Sequence, residues 1–404
     1  MNHLSSQTQA PHGTAAAMGL IAIGFAGSTM ITPLYALYQA QFGFSAVVLT
    51  IVYAAYVIGN LSALLFLGRL SDRIGRRPIA FAAIALCLIA ASVFLMAQNT
   101  AWLFAGRVVS GLAVGLASGT GTAWLVDLRP DDRPRATLLA IQANLGGIGL
   151  GPLIAGLLAS YATRPLILPF LVYGAAIAMV ALMVTRTRET VSTRAIDAAL
   201  FRPQFALPHN ARAAFVAPAV TSFTAFAFVG FYAALLPSIL HQAMHLSSPA
   251  IGGAILAQLF AVAAATMLAT RRLSSRMAML SGLMTIAPAL ALLVLAQSQQ
   301  SLALLMLGTT SGGVALALGY RGSLEIVNAI APADRRAGLV SVYLVICFIG
   351  NSLPVIGVAM VGAVAGPVRA SEIFAAVMLV LAAAAFVTGL RFAPHRPVPA
   401  CEAR

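Results

Sequence analysis

Apolar runs of about twenty residues, separated by short polar clusters, repeat along the whole 404-residue chain. A helix rises 1.5 Å per residue, so crossing the hydrocarbon layer takes roughly 20 apolar residues in a row. Twelve stretches meet that length, near 16–38, 46–67, 78–98, 102–127, 137–160, 165–185, 213–240, 249–270, 277–296, 301–328, 338–363 and 370–391. The pattern predicts an all-α membrane protein with twelve transmembrane helices. One long polar stretch, 186–212, falls at the midpoint and carries Pro203 and Pro208. It reads as a linker, so the expected organisation is a six-helix half over 1–185, the linker 186–212, a second six-helix half over 213–392 and a tail over 393–404. The first fifteen residues contain no arginine, so they lack the charged start of a cleaved secretory signal, and the first run is expected to be a retained helix.

The two halves look related. At an offset of 202 residues Gly111 matches Gly313, Pro130 matches Pro332, Asp132 and Arg133 match Asp334 and Arg335, and Pro152 matches Pro354. Matches in equivalent helices and loops predict two pseudo-symmetric halves, a common build of secondary transporters.

Composition sharpens the picture. Apolar residues make up 60% of the chain and charged residues only 8%, far below the quarter or so that a water-facing domain carries. The charge is lopsided: 24 basic residues against 10 acidic ones, a net +14, and every basic residue is arginine. Such a balance can mark a nucleic-acid surface, and position decides against it. Taking the N-terminus as cytoplasmic, 20 of the 24 arginines fall in cytoplasmic loops, the linker and the tail, and only Arg164 and Arg369 fall outside. The positive-inside rule then places both termini in the cytoplasm. The partners expected are the lipid bilayer, protons and a small-molecule substrate, with no nucleic acid. Arg107 and Arg321 remain, both inside predicted helices.

The alternative from another class, a membrane-embedded enzyme or a non-transporting receptor, finds little support. Cys87, Cys347 and Cys401 are scattered, which suits neither a disulfide framework nor a metal site. His241 and His245, four apart, lack acidic or cysteine neighbours. There is no H-E-x-x-H, and without lysine there is no nucleotide-binding G-x-x-x-x-G-K-[ST] loop. No cofactor and no metal are expected.

The loop between the second and third runs reads Gly68-Arg-Leu-Ser-Asp72-Arg73-Ile-Gly75-Arg76-Arg77-Pro78. Glycines allow tight turns and close backbone approach, and Asp72 stands among four guanidinium groups. The segment resembles the signature loop of the major facilitator superfamily, G-x-L-(A/S)-D-R-x-G-R-(K/R). The resemblance implies that fold, a secondary transporter working by alternating access, and a conformational latch in which Asp72 meets the start of helix eleven near Ala337. The alternative is that these arginines only set topology. Asp127, at the end of helix four, resembles the acid that joins this charge network, the alternative being a solvated cap.

Two further stretches carry the resemblance. Gly106-Arg107-Val-Val-Ser-Gly111 is similar to the family's R-x-x-x-G pattern in helix four. It implies contact with substrate or influence on proton transfer, although a shallow arginine can also snorkel to the interface. Gly147-Ile-Gly149-Leu-Gly151-Pro152-Leu-Ile-Ala155-Gly156 in helix five resembles the G-x-x-x-G-P-x-x-G-G motif of the antiporter branch, departing at Ala155. Its glycines suit close helix packing, and Pro152 should kink the helix. The motif implies efflux by proton antiport; the family resemblance implies a functional monomer, and the expected location is the cytoplasmic (inner) membrane of a bacterium. Proton-coupled uptake of an organic acid or sugar is the alternative.

In helix ten Arg321 and Glu325 are one turn apart on one face, and Pro332 is expected to end the helix. Glu325 lies seven residues from that end, roughly 10 Å along the axis. It is the candidate proton carrier, or else half of a permanent ion pair. The acid that the family usually carries in helix one is absent, because Ala26 to Gln41 contains neither Asp nor Glu. Polar residues expected at a substrate cavity are Tyr35, Asn144, Tyr232 and Asn351. With Arg107 and Arg321 that cavity is net positive, which suits an anionic or neutral polar substrate.

Overall fold

The computed structural model describes residues 2–192, 205–242, 244–246, 248–332 and 335–392. Twelve helices among the described residues are long and apolar enough to cross a membrane. They are α1 (His12–Phe42), α2 (Ala46–Leu67), α3 (Arg76–Leu95), α4 (Thr100–Leu128), α5 (Arg133–Tyr161), α6 (Leu168–Thr185), α7 (Arg212–His241), α8 (Pro249–Ala269), α9 (Ser275–Ser298), α10 (Leu302–Ile330), α11 (Arg336–Ala365) and α12 (Pro367–Arg391). Every predicted run has its helix, and no end moves by more than four residues. The expected tail and residues 193–204 of the expected linker lie outside the described residues, as does Asp334.

Local chemistry sets the helix starts. Ser45, Asn99, Asp132, Ser274 and Ser301 each accept a backbone N–H of the first turn, at the heads of α2, α4, α5, α9 and α10. A side-chain acceptor there satisfies a donor that the helix itself cannot pair. The first run differs from expectation in one respect. It is α-helical through Thr29, turns at Met30 and Ile31, passes through a 3-10 turn at Thr32–Leu34, and resumes as α-helix at Tyr35–Phe42. Pro33 lacks the N–H that would reach the carbonyl of Thr29, so the regular ladder stops there.

The chain divides into two compact units: Met1–Pro203 with Ser248–Ala257, and Gln204–Ser247 with Gln258–Arg404. The first half of α8 therefore belongs to unit 1 together with α1–α6. Within each unit, small residues let helices touch. In unit 1 a Cβ on Gly59 would overlap the Val108 carbonyl, and one on Gly111 would overlap the Tyr56 carbonyl, so α2 and α4 meet backbone to backbone. In unit 2 a Cβ on Gly313, the repeat partner of Gly111, would lie 2.7 Å from the Leu259 carbonyl of α8. Lipid tails are as apolar as leucine, so such close packing, more than hydrophobic burial, holds helices together in a bilayer. Large apolar side chains such as Met179, Leu182, Met360 and Val380 point outward, where hydrocarbon has to cover them.

Candidate functional site

The backbone contact of α2 with α4 places the Tyr53 and Tyr56 rings against Arg107. The guanidinium carbon stands 5.2 Å from the Tyr53 ring centre and 4.9 Å from that of Tyr56. Arg107 Nη1 donates to the carbonyl of Ser28, in the last turn before the break in α1, and Nη2 donates to the Tyr53 carbonyl at 3.2 Å. Carbonyls at a helix end have lost their helical donors and carry the negative pole of the helix dipole. The side chain is only 2% exposed, so it does not snorkel.

Among the described residues no carboxylate lies within 4.0 Å of this guanidinium. Burying an unneutralised charge costs several kcal/mol. Here two charge-assisted bonds, each worth about 1.5–3 kcal/mol, and two ring faces, each worth about 0.5–2 kcal/mol, offset that cost. Among the described residues, Arg107 Nε and the Tyr35 hydroxyl are buried without a hydrogen-bond partner. The site thus keeps a positive charge and two unengaged polar groups together.

The signature loop builds a second cluster in unit 1. A π-helical turn, Ala63–Leu67, ends α2, and a Cβ on Gly68 would lie 2.7 Å from the Leu64 carbonyl. Arg76 is buried and holds the loop closed: Nη1 reaches Asp72 Oδ1 at 2.6 Å and Ser71 Oγ at 2.7 Å, and Nε reaches Asp127 Oδ2 at 2.8 Å. Arg73 is half-buried on the same short turn, Ser71–Ile74. Arg77 donates to the Thr185 carbonyl at the end of α6, 3.0 Å away. Arg76 and Asp127 also border an open groove of about 530 Å³ lined with Leu64, Ser118, Gly119 and Thr122.

Sequence reasoning missed Glu189 in this cluster. Its two carboxylate oxygens accept the backbone N–H groups of Arg76 at 2.9 Å and Arg77 at 2.8 Å, which caps α3. Gly75 permits this: its φ is +118°, and a side chain there would press against Glu189 Oε2 at 2.8 Å. Partial burial pushes the Glu189 carboxyl up. The N–H groups of Arg76, Arg77, Val191 and Thr190 outweigh that and hold it below its ordinary value. Thr190, next in sequence, donates to Asp127 Oδ2 at 3.1 Å. The available signal was scarcity, since Glu189 is one of only ten acids and follows Arg186 and Arg188.

The glycines of the helix-five motif meet two other helices of unit 1. A Cβ on Gly147 would overlap the Ala22 carbonyl and one on Gly151 the Ala26 carbonyl, both on α1. A Cβ on Gly156 would overlap the Pro249 carbonyl at the start of α8. Nearby, the Ala250 N–H donates to Ser160 Oγ at 2.9 Å. Ala155, where the motif departs, is buried and small.

In unit 2, Arg321 donates through Nη1 to the Thr270 carbonyl at 2.7 Å and through Nη2 to the Leu273 carbonyl at 3.1 Å. It thereby serves carbonyls just past the end of α8, a favourable place for a cation. Glu325 Oε1 stands 3.7 Å from Arg321 Nε, with side-chain exposures of 44% and 14%. The pair expected on one helix face is therefore formed, and Glu325 is the more open member. Tyr232 is fully buried with its hydroxyl 3.2 Å from Thr309 Oγ1. Asn351 is buried on α11, and Asn144 in unit 1 is half-buried on α5.

A family model described as Major Facilitator Superfamily matches residues 17–353. Curated relatives include the multidrug resistance protein MdtL of Escherichia coli O81, 30% identical over 152 residues, and that of Shigella boydii serotype 18, 33% identical over 153 residues. Each alignment covers 37% of this chain and 39% of the relative, so the chain matches about two fifths of their length. Among solved structures, a bacterial homolog of the human lysosomal transporter Spinster superposes with a TM-score of 0.72 at 18% identity, covering 95% of this chain and 98% of that one. The nucleoside transporter NupG gives 0.70 at 13% identity, covering 93% and 99%. At these identities the structures speak for the fold alone.

Proposed function

The chain belongs to the Major Facilitator Superfamily, a family of multi-pass membrane transporters and not of enzymes, and from that premise we propose that it exports a small molecule in exchange for protons. The observation that carries this reading is the helix-five motif. Gly147 and Gly151 lie on the α1 backbone, Gly156 lies on the α8 backbone, and Pro152 stands among them. A helix packed this closely leaves little room for ions to leak along it, as exchange requires. The printed name of the MdtL relatives, multidrug resistance protein, supports the same direction. The membrane is the cytoplasmic (inner) membrane of a bacterium, both termini are cytoplasmic, and the working unit is a monomer.

Roles follow from chemistry. Arg107, with Tyr35 beside it, contacts substrate, and a charge without a carboxylate partner favours an anionic or neutral polar molecule. Glu325 carries the proton, and Arg321 holds it in register. Asn144, Tyr232 and Asn351 supply polar contacts. Asp72, Arg76 and Asp127, with Gly68, Arg73, Gly75 and Arg77 around them, form a latch that breaks when the transporter changes state; only a difference in affinity between the two states lets a ligand drive that change. The second reading, proton-coupled uptake of an organic acid or sugar, draws on the same Arg107, which among the described residues has no carboxylate beside it.

A screen in proteoliposomes with an imposed pH gradient distinguishes them. Organic anions, neutral polar compounds and cationic dyes are offered outside while an internal dye reports pH. Export by antiport predicts accumulation inside acid-loaded vesicles with protons leaving, and loss of that gradient response in Glu325→Gln. Accumulation driven only by acid outside overturns the export reading and supports uptake.

A further inference from the structure

Pro152 has no N–H, so the carbonyl of Ile148, four residues earlier on α5, has no helical donor. The Thr29 hydroxyl reaches that carbonyl at 3.2 Å. Thr29 is the last residue of the first α-helical segment of α1, where Pro33 interrupts the ladder. A break in one helix and a carbonyl without its helical donor in the neighbouring helix therefore face each other across a single hydroxyl. Gly151 makes the approach possible, since a side chain there would lie 2.8 Å from Thr29 Oγ1.

That hydroxyl has one proton and several acceptors. On its own helix the Phe25 carbonyl lies at 3.0 Å and the Ala26 carbonyl at 3.4 Å, against 3.2 Å for Ile148 across the gap. Threonine hydroxyls in helices usually bond back to their own ladder. Here a small rotation of the side chain decides whether α1 keeps the proton or shares it with α5. Unit 2 lacks the device: the matching positions are Pro354 and Phe231, and phenylalanine has no hydroxyl.

We propose that Thr29 is a positioning residue, whose hydroxyl supplies the hydrogen bond that Pro152 removes and ties the break in α1 to the proline turn of α5. The proposal rests on family membership and not on the direction of transport. The test uses the purified full chain and hydrogen exchange of the helix-five amides around Pro152, at 149–157. Thr29→Val keeps the shape and loses the hydroxyl, and should speed exchange there about tenfold, as expected for one lost hydrogen bond. Thr29→Ser restores the donor and should stay within about twofold of the parent.

The decisive arm is Pro152→Ala, which returns an N–H to Ile148. In that background Thr29→Val should change exchange by less than about twofold. If Thr29→Val does not fold, rescue by Pro152→Ala supports the proposal and failure to rescue overturns it. Equal effects of Thr29→Val in both backgrounds, or a Thr29→Ser that behaves like Thr29→Val, also overturn it, because packing alone would then explain the residue.

Discussion

Arg107 in unit 1 and Thr309 in unit 2 occupy matching positions of the internal repeat, 202 residues apart, in helices that pack on a neighbour through the matching glycines Gly111 and Gly313. Both are buried and both meet tyrosine. Thr309 is fully engaged: its hydroxyl lies 3.2 Å from that of Tyr232 and 2.7 Å from the Leu305 carbonyl. Arg107 is not, because its Nε and the neighbouring Tyr35 hydroxyl have no hydrogen-bond partner among the described residues. The second arginine reverses the contrast. Arg321 closes on the Thr270 and Leu273 carbonyls, while its repeat counterpart is Gly119, beside the open groove. Arg321 Nε also lacks a hydrogen-bond partner among the described residues, but it stands 3.7 Å from the Glu325 carboxylate, whereas Arg107 has no carboxylate within 4.0 Å among them. A guanidinium that no carboxylate has neutralised keeps its charge for an anionic or polar ligand.

The largest expected effect tests this asymmetry directly. Arg107→Leu should lower the initial transport rate about 100-fold, the scale of one or two lost charge-assisted bonds, with protein still recovered from the membrane. Thr309→Val should stay within about threefold, since a satisfied neutral bond contributes little net. Rates in proteoliposomes, using the compound found in the pH-gradient screen, check both. Comparable losses in the two variants would remove the distinction between the halves.

Much of this architecture was legible in the sequence. Length and hydropathy suffice for twelve helices because hydrocarbon tolerates little else. The spacing of glycine, aspartate and arginine suffices for the family. The cluster at the start of α3 was half legible: Asp72, Arg76 and Asp127 announced themselves, but Glu189 acts through its carboxylate on backbone N–H groups 113 and 112 residues away. No local pattern encodes such a contact. The break in α1 was available as Pro33 within an apolar run, yet its consequence was not. That Ser28 offers its carbonyl to Arg107, and that Thr29 answers Pro152, depend on which helices become neighbours. The pairing of Arg321 with Glu325 followed from helical spacing, while its bonds to the carbonyls beyond α8 required the fold.

A middle-sized effect separates glycines that the scaffold needs from one that it does not. Gly111→Ala pushes a methyl into the Tyr56 carbonyl on α2, and forced overpacking of this kind costs about 1–3 kcal/mol. Gly313→Ala should cost less, because its methyl would stand 2.7 Å from the nearest backbone atom, the Leu259 carbonyl oxygen, farther than a methyl on Gly111 would stand from the Tyr56 carbonyl. Gly119→Ala meets nothing within 4 Å and should stabilise by up to about 1 kcal/mol through helix propensity alone. Thermal unfolding in one detergent gives the order directly. A Gly119→Ala as damaging as Gly111→Ala would mean that the groove is closed by something pressing on that face.

The smallest effect contrasts two equivalent helix starts. Glu189 caps α3 in unit 1, whereas α9 in unit 2 is capped by the Ser274 hydroxyl, which accepts the Met277 N–H at 3.4 Å. The Glu189 carboxyl titrates below its ordinary value of 4.5. Its stabilisation is therefore complete above that value and is lost as pH falls through the lower value of the folded state. Serine does not titrate in this range. On acidification below about pH 4.5, protection of the Arg76 and Arg77 amides should drop two- to threefold, roughly what an exposed cap contributes. Met277 should follow only the intrinsic pH dependence of exchange. Glu189→Gln should show the weakened cap already at neutral pH and flatten the acid response. If the α3 and α9 starts lose protection in parallel, the acid sensitivity lies in the fold as a whole and not in this carboxylate.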